Sequence, residues 1–251
     1  MFNQRLRRLV GFRILLLTLI AVVGLALSGA AYWALDTQER KLTQTQLEAQ
    51  VAREIERQFR SDVVSIYPIG RFIANSKPGS SEDFRLVSTR VFEENPNLCG
   101  AYWIPRVSPR EYDDYCDRLR AEGDARPGVW EFLPSGDKGE LEDPERVVLP
   151  VELAEPREIH ENVLGLDLAS ESTFDFLLQR AVEERGPVAS KPIPWLADPN
   201  QKVIVVIRAM FPQQTDPDPD ADPPDNMMGF TAIAIRPDAM LTSALSELPE
   251  D

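Results

Sequence analysis

The sequence predicts an α+β fold, in which five antiparallel strands are covered by helices and follow two long helical segments. Three observations predict it. An uncharged apolar run occupies residues 14–35, and an amphipathic helical pattern continues from there to about residue 75. Beyond residue 75, three helical patterns with start and stop signals alternate with five short runs that are rich in β-branched and aromatic residues.

The apolar run at residues 14–35 is long enough to cross a membrane. As a helix it spans about 33 Å, against about 30 Å for the hydrocarbon core of a bilayer. Arginines precede it at positions 5, 7, 8 and 13, and the next basic residue is Arg40. The positive-inside rule then places the basic residues 1–13 in the cytoplasm and residues 36–251 outside, in a chain that crosses the cell membrane once (the inner membrane of a Gram-negative cell). A cleaved signal peptide is the alternative, but its apolar core is usually only about 7–15 residues long.

Residues 36–75 carry one apolar stripe along a predicted helix. Hydrophobic residues recur every three or four positions, at Leu47, Val51, Ile55, Phe59, Val63 and Ile66. A long helix with a single stripe needs a partner that covers it. The partner is a second copy, in which case the helix is the stalk of a parallel homodimer, or the domain of the same chain, or both.

Three shorter helices are predicted in the domain formed by residues 76–251. They cover about residues 81–94, 108–123 and 172–185. The second has the clearest start, because Ser108 and Glu111 match a capping box and Pro109 occupies the first helical position. The stop signals are, in order, Asn95-Pro96, Gly123 and Gly186-Pro187.

Five strand-like runs lie between and after these helices. They are short and are bounded by Gly, Pro or Asp, and they cover residues 98–104, 129–133, 147–153, 203–211 and 228–235. An acidic stretch, TDPDPDADPPD at residues 215–225, separates the last two. We interpret it as a solvated loop rather than a calcium site, because its spacing is not that of an EF-hand and no Glu closes it.

The chain is acidic, and its formal net charge of −14 is concentrated after residue 35, because residues 1–35 contain no Asp or Glu. A surface of this sign repels nucleic acids and anionic membrane surfaces. We therefore expect no nucleic-acid partner.

Catalytic and metal-binding patterns are scarce. The single histidine, His160, lies in a polar turn without a nucleophile elbow nearby, and no His/Cys cluster has the spacing of a zinc site. We expect no enzymatic activity, cofactor or metal in this chain. An extracytoplasmic hydrolase built on His160 or on a pair of carboxylates is the weaker alternative. Cys99 and Cys116 could form a disulfide outside the cytoplasm, but Cys116 falls on the apolar face of the second helix, which favours a buried thiol.

Asp167 stands out within the stretch ENVLGLDLASES, residues 161–172, because it lies between Leu166 and Leu168. Burial of a carboxylate is costly unless another group pairs with it. One explanation is contact with a ligand. The other is a turn or a helix cap, since Asp often accepts hydrogen bonds from nearby backbone N–H groups and a helix is predicted to start at Ser172.

Several short motifs resemble, in their order and spacing, the CHASE domain family of extracellular sensors attached to histidine kinases and nucleotide cyclases. They are WIPRV (103–107), LPVELAEP (149–156), NVLGLDLAS (162–170), GPVASKPI (186–193) and MGFTAIAIRPDAML (228–241). The resemblance covers roughly residues 60–245. It implies a PAS-like ligand-binding domain that is mounted on a long dimerising helix.

The resemblance also implies ligand-binding residues. In plant cytokinin receptors, which carry this domain, an Asp of the signature contacts the bound small molecule, and that position corresponds to Asp167. A second pocket position corresponds to Ala189, next to Ser190. We include Trp103 in the predicted site, although a core position is the other interpretation of this residue.

These features together predict the extracytoplasmic small-molecule sensor region of a membrane-bound receptor. Ligand binding would be relayed through a dimeric stalk to a cytoplasmic kinase or cyclase that is not present in residues 1–251. We expect that the sequence is a fragment of a longer receptor or that the gene stops early. The alternative is a membrane-anchored envelope protein with an interaction or structural role, whose PAS-like module binds no small ligand.

Overall fold

A computed structural model describes residues 46–75, 81–121, 128–133, 137–143, 145–212 and 227–246. The predicted segments 1–13 and 14–35, the start of the stalk and the acidic stretch 215–225 lie outside the described residues. None of the helices within the described ranges combines the length and the apolar character that a membrane crossing requires. The chain divides into two units, Met1–Glu54 and Ile55–Asp251. The described part of the first unit, residues 46–54, is helical.

The helical pattern that the sequence predicts up to residue 75 is interrupted. Helix α1 covers residues 55–64 of the second unit, Ser65 forms a turn, and helix α2 covers Ile66–Asn75. Pro68 explains the interruption, because it has no N–H to donate to the carbonyl of Val64 and its ring crowds that carbonyl. The prediction of one continuous helix was therefore wrong at this point.

The core of the domain is an antiparallel sheet of six strands rather than the five predicted. Its strands are β1 (Leu98–Pro105), β4 (Leu153–Glu155), β5 (Val188–Ala189), β6 (Ile193–Pro194), β7 (Lys202–Met210) and β8 (Gly229–Ile235). Their order is β4-β1-β8-β7-β5, and β6 also pairs with β7. In this register Tyr102 of β1 lies opposite Ala232 of β8.

Two of the five predicted strands differ from the structure. The run at residues 129–133 forms β2 (Trp130–Phe132), which pairs with β3 (Lys138–Glu140) in a ribbon separate from the sheet. Of the run at residues 147–153, only Leu153 belongs to β4. Pro150 lies within that run and cannot donate to a continuous ladder of backbone hydrogen bonds.

The predicted helices are present at nearly their predicted bounds. They are α3 (Ser81–Glu94), α4 (Tyr112–Ala121) and α6 (Ser172–Glu184), and the sequence analysis did not predict α5 (Arg157–His160) and α7 (Pro237–Ser246). The capping box is confirmed, because the N–H and hydroxyl of Ser108 both donate to the Glu111 carboxylate. The predicted stop of the second helix at Gly123 lies outside the described residues.

Both faces of the sheet are covered, which explains why its central strands are almost continuously apolar. All seven residues of β8 are buried. On one face, Trp103 and Ile233 pack with residues of α2 and α3. On the other face, Ile104 and Phe230 pack with α6 and with the turn that precedes it. Cys99 and Cys116 are free thiols, and Cys116 is buried as predicted.

Candidate functional site

Asp167 is completely buried in the turn that precedes α6. Gly165 allows the turn to pack closely, since its φ is +82° and a Cβ there would lie 2.7 Å from the carbonyl oxygen of Gly128. The backbone N–H of Asp167 donates to Trp130 O over 2.7 Å. Its Oδ1 accepts from the N–H groups of Leu149 at 2.9 Å and Ala169 at 3.3 Å.

The other carboxylate oxygen of Asp167 is paired with an arginine. Arg146 Nη2 lies 2.5 Å from Asp167 Oδ2 and donates to Glu131 Oε2 over 2.9 Å. The guanidinium therefore bridges two acidic side chains and compensates the buried charge of Asp167. The cap predicted as the alternative to ligand contact is present, because Asp167 is the N-cap of the short 3-10 turn Leu168–Ser170. Ligand contact by Asp167 stays a prediction, but both of its oxygens already have partners inside the protein.

The other three predicted site residues lie elsewhere. Trp103 and Ala189 pack on the face of the sheet that α2 and α3 cover. Ser190 extends the pairing with β7: its N–H donates to Val205 O over 2.8 Å, and its Oγ accepts from Val205 N–H over 2.9 Å. The structure does not bring these three residues together with Asp167 around one cavity.

A small, partly open cavity of about 30 Å³ lies on the face of the sheet that α6 covers. Its wall includes Tyr102 and Ile104 of β1, Phe174 of α6, Val205 of β7 and Ala232 of β8. None of the four predicted site residues is part of its lining. The cavity has room for about one or two water molecules as it stands.

An open groove of about 590 Å³ adjoins this cavity. Phe174, Pro194 and Leu196 belong to the walls of both, so that these three side chains lie at the boundary between the cavity and the groove. The rest of the groove is more polar and includes the start of α6, at Ser172 and Thr173. A molecule that reached the cavity through the groove would have to pass these three residues.

Three aromatic side chains form a polar cluster at the wall of the cavity: Trp195 and His160, which are buried, and Tyr102, which is half-buried. Trp195 Nε1–H donates to the hydroxyl oxygen of Tyr102 over 3.1 Å, and both residues line the cavity. The ring of His160 lies edge-on to both, with ring centroids 5.0 Å from Tyr102 and 5.3 Å from Trp195. Burial raises the pKa of Tyr102 and lowers the pKa of His160, so that both side chains stay neutral near pH 7.

His160 is held in one orientation by the backbone. Its Nδ1 lies 2.7 Å from Pro156 O, which fixes the proton on Nδ1 and leaves a lone pair on Nε2. Within the described part of the chain, Nε2 has no hydrogen-bond partner. The ring is packed against Gly100 of β1, where a Cβ would lie 3.0 Å from Nε2. His160 is therefore a buried core residue, not a residue of the polar turn that the sequence suggested.

A model of the CHASE domain family matches residues 79–251, well over half of the chain. The chain belongs to the CHASE domain family. CHASE domains are sensor domains of histidine kinases and cyclases. The resemblance found in the sequence motifs is thus confirmed.

Solved structures similar to this CHASE domain include an extracellular ligand-binding receptor from Desulfohalobium retbaense, with 14% identity and a TM-score of 0.48 over 80% of this chain and 26% of that chain. The ligand-binding domain of the Campylobacter jejuni chemoreceptor Tlp3 in complex with L-norvaline matches with 11% identity and a TM-score of 0.42, over 82% of this chain and 61% of that chain. The sensory domain of the same chemoreceptor with isoleucine bound matches with 13% identity and a TM-score of 0.39, over 84% of this chain and 67% of that chain. This chain thus spans about a quarter of the first structure and about three fifths of the second. No curated protein matches the sequence.

Sequence reasoning missed the cavity of this CHASE domain for a physical reason. The residues of the polar cluster come from three distant parts of the chain, at positions 102, 160 and 195. Each has an apolar or aromatic character that is equally typical of a core position. Of the three, only Tyr102 lies in a predicted strand-like run, and its position there does not distinguish a cavity wall from a filled core.

Proposed function

We propose that this CHASE domain is the extracytoplasmic small-molecule sensor of a membrane-bound receptor. Family membership supports a sensor, and the uncharged run at residues 14–35 supports a membrane anchor. The observation that carries the proposal is the small apolar cavity beside an open groove, on the face of the sheet opposite α2 and α3. Ligand sites are typically concave, mostly apolar and supplied with a few polar groups, as this one is.

Binding in this cavity would move the sheet. A cavity of about 30 Å³ is too small for a metabolite of several heavy atoms, so the ligand must widen it. Val205 of β7 lines the cavity, whereas its neighbour Val206 packs on the opposite face with α2 and α3. Displacement of β7 away from the cavity is therefore passed directly to the helices.

The contact between β7 and α2 is close enough to convey such a displacement. A Cβ on Gly70 of α2 would lie 2.8 Å from Met210 Sδ, so the helix backbone rests on that side chain. We propose that α2 and α1 carry the shift toward the membrane, to a kinase or cyclase output module of the full receptor. Such a relay needs two discrete arrangements of sheet and helices, one of which the ligand favours.

The stalk is proposed to dimerise in addition to packing on its own domain. Ile55, Phe59 and Val63 of the predicted stripe pack against the core that α2 and α3 form with the sheet. Leu47, at the start of the same stripe, has 48% of its surface exposed. We propose that residues 46–54, which carry the start of the stripe, pair with the same residues of a second copy.

Thermal unfolding of the full chain against a panel of adenine derivatives, amines, amino acids and alcohols tests the sensor proposal. A ligand at 100 times its dissociation constant adds about 2.7 kcal/mol of stability, which raises the melting temperature by a few degrees. Two variants locate the site of any hit. Ala232→Val fills part of the cavity, and Asp167→Asn tests the ligand contact that the family resemblance implies. Absence of any hit would favour the alternative, an envelope interaction protein without a small ligand.

A further inference from the structure

Among the described residues that line the cavity, none carries a charged side chain. Apart from Tyr102 and Trp195, these residues are aliphatic, Phe or Pro. The nearest titratable ring behind this wall is His160, whose pKa is lowered by burial and which is neutral at pH 7. A charged group that entered this space would lose its hydration without gaining a partner, and that loss is far larger than the cost of burying a neutral polar group.

The two polar side chains of the wall are already joined to each other. Trp195 Nε1–H donates to the Tyr102 oxygen, which uses the single donor of the indole. The hydroxyl hydrogen of Tyr102 has no acceptor within hydrogen-bonding distance among the described residues. The described part of the wall thus offers one donor, the Tyr102 O–H, which lies beside the rings of Trp195 and His160.

We propose that the cavity binds an uncharged, mainly apolar small molecule that carries one hydrogen-bond acceptor for the Tyr102 hydroxyl. This inference rests on the proposed function, because it takes the cavity as the ligand site. The apolar part of the molecule packs against Ile104, Phe174 and Val205, and its acceptor lies at the polar cluster. Discrimination comes from the Tyr102 donor, since an analogue without an acceptor leaves that hydroxyl unpaired in the complex.

The same chemistry excludes charged ligands from the cavity. Free amino acids are zwitterions near neutral pH, and neither their ammonium nor their carboxylate would find an opposite charge on this wall. The acidic Glu171 lies in the adjoining groove, where its carboxylate accepts from the N–H groups of Thr173 and Phe174 at the start of α6. A charged group could therefore remain only in the groove, outside the three residues at its boundary with the cavity.

Four probes that share an isobutyl group test the proposal on the full chain in detergent. They are 3-methyl-1-butanol, 3-methylbutylamine, 3-methylbutanoate and L-leucine, which at pH 7.5 are respectively neutral, cationic, anionic and zwitterionic. Dissociation constants are obtained from the rise in melting temperature with probe concentration. We expect the alcohol to bind at least tenfold more tightly than each of the other three.

Three variants identify where the alcohol binds and through which group. Tyr102→Phe should weaken binding of the alcohol about fivefold, as expected for one hydrogen bond. The matched control Tyr112→Phe, on the half-buried face of α4, should leave it unchanged. Ala232→Val should weaken it at least tenfold because the added methyl groups occupy the cavity. Detergent partitioning of the probe is the same for all variants and cancels in the comparison.

The results of these experiments distinguish a failure of the inferred ligand class from a failure of the proposed sensor function. Tighter binding of the amine, the carboxylate or leucine, abolished by Ala232→Val, would overturn the inference while the sensor proposal stands. Binding of the alcohol that Ala232→Val does not weaken would place it outside the cavity and overturn the inference as well. If none of the four probes and no member of the metabolite panel stabilises the chain, both are overturned. The comparison of the four probes on the parent chain requires no variant to fold.

Discussion

At the scale of single residues, Asp167 shows how a buried carboxylate is accommodated. Three donors surround it: the N–H groups of Leu149 and Ala169 and the guanidinium of Arg146, which also binds Glu131. The carboxylate thereby ties the turn before α6 to the segment before β4. Its cost of desolvation is offset by an ion pair and two backbone hydrogen bonds.

Removal of this carboxylate should destabilise the domain without any ligand present. Asp167→Ala leaves two backbone N–H groups without an acceptor and breaks a buried ion pair, so we expect a loss of about 3 kcal/mol in the free energy of unfolding. Asp167→Asn, which retains one acceptor oxygen, should lose less. Urea denaturation measures both, with Glu183→Gln on the exposed face of α6 as the control. A change below about 0.5 kcal/mol in Asp167→Ala would contradict the structural role.

Asp62 on α1 is a second buried carboxylate, and it is paired differently. It has no exposed surface, and its partners are the side-chain amides of Asn97, at 3.1 Å, and Gln58, at 3.4 Å. Desolvation by burial raises its pKa above the usual value of 3.8, although the two amide donors act in the opposite direction. The folded protein therefore binds this proton more tightly than the unfolded chain does.

The raised pKa of Asp62 gives a pH dependence of definite sign. As pH rises from about 4 through the raised pKa, the unfolded chain loses the proton first, so this group lowers the free energy of unfolding. Asp62→Asn removes that effect, and its stability relative to the parent should increase between pH 4 and pH 7. Glu93→Gln, at an exposed position of α3, should show no such trend. Denaturant unfolding at several pH values between 4 and 7 measures the stability of each variant relative to the parent. A stability difference between Asp62→Asn and the parent that is constant with pH would refute the raised pKa of Asp62.

At the scale of elements, local signals in the sequence were sufficient for α3, α4 and α6, but not for α5 and α7. The start of α4 follows from the Ser108–Glu111 capping box, and α6 ends where Gly186-Pro187 follows. The interruption of the stalk at Ser65 could also have been foreseen from Pro68. The strand order could not, because pairing of β1 with β8 joins residues more than a hundred positions apart and leaves no local pattern.

The start of β8 depends on a glycine. Gly229 has φ of +146°, and a Cβ there would lie 2.3 Å from the carbonyl oxygen of Ile104 on β1. Gly229→Ala should therefore cost about 2–3 kcal/mol through backbone strain and a local shift of the β1–β8 pair. Gly186→Ala is the matched control, since the nearest atom to its Cβ would lie at 3.6 Å. Equal effects of the two substitutions on thermal stability would show that the close contact between Gly229 and Ile104 O does not require a glycine.

At the scale of the whole molecule, the proposed relay depends on a dimer formed through the stalk. Leu47 is exposed at the start of the apolar stripe, and Ala49 lies on the opposite side of the same helix. Leu47→Glu should raise the dissociation constant of the dimer at least tenfold, and Ala49→Glu should not. Sedimentation equilibrium of the full chain in detergent measures both. A parent chain that is monomeric at all concentrations would contradict a dimeric relay.

The sequence predicted the family and the class of fold of this molecule but not its candidate site. Motifs such as NVLGLDLAS are contiguous, so a family resemblance could be recognised in them. The cavity is formed where strands β1, β7 and β8 face α6, and its existence depends on how completely their side chains fill that space. Packing at this level is not encoded in any periodicity. For that reason the sequence predicts Asp167 as a site residue but does not predict Tyr102.

The most direct test of the account compares the affinity of one ligand for three chains: the parent, Ala232→Val and Asp167→Asn. Isothermal titration calorimetry would be carried out with the strongest hit of the metabolite panel. We expect Ala232→Val to weaken binding at least tenfold, and Asp167→Asn, once its lower stability is allowed for, to change the affinity less than twofold. Loss of binding in Asp167→Asn with full affinity in Ala232→Val would contradict it and would place the ligand at the buried carboxylate instead.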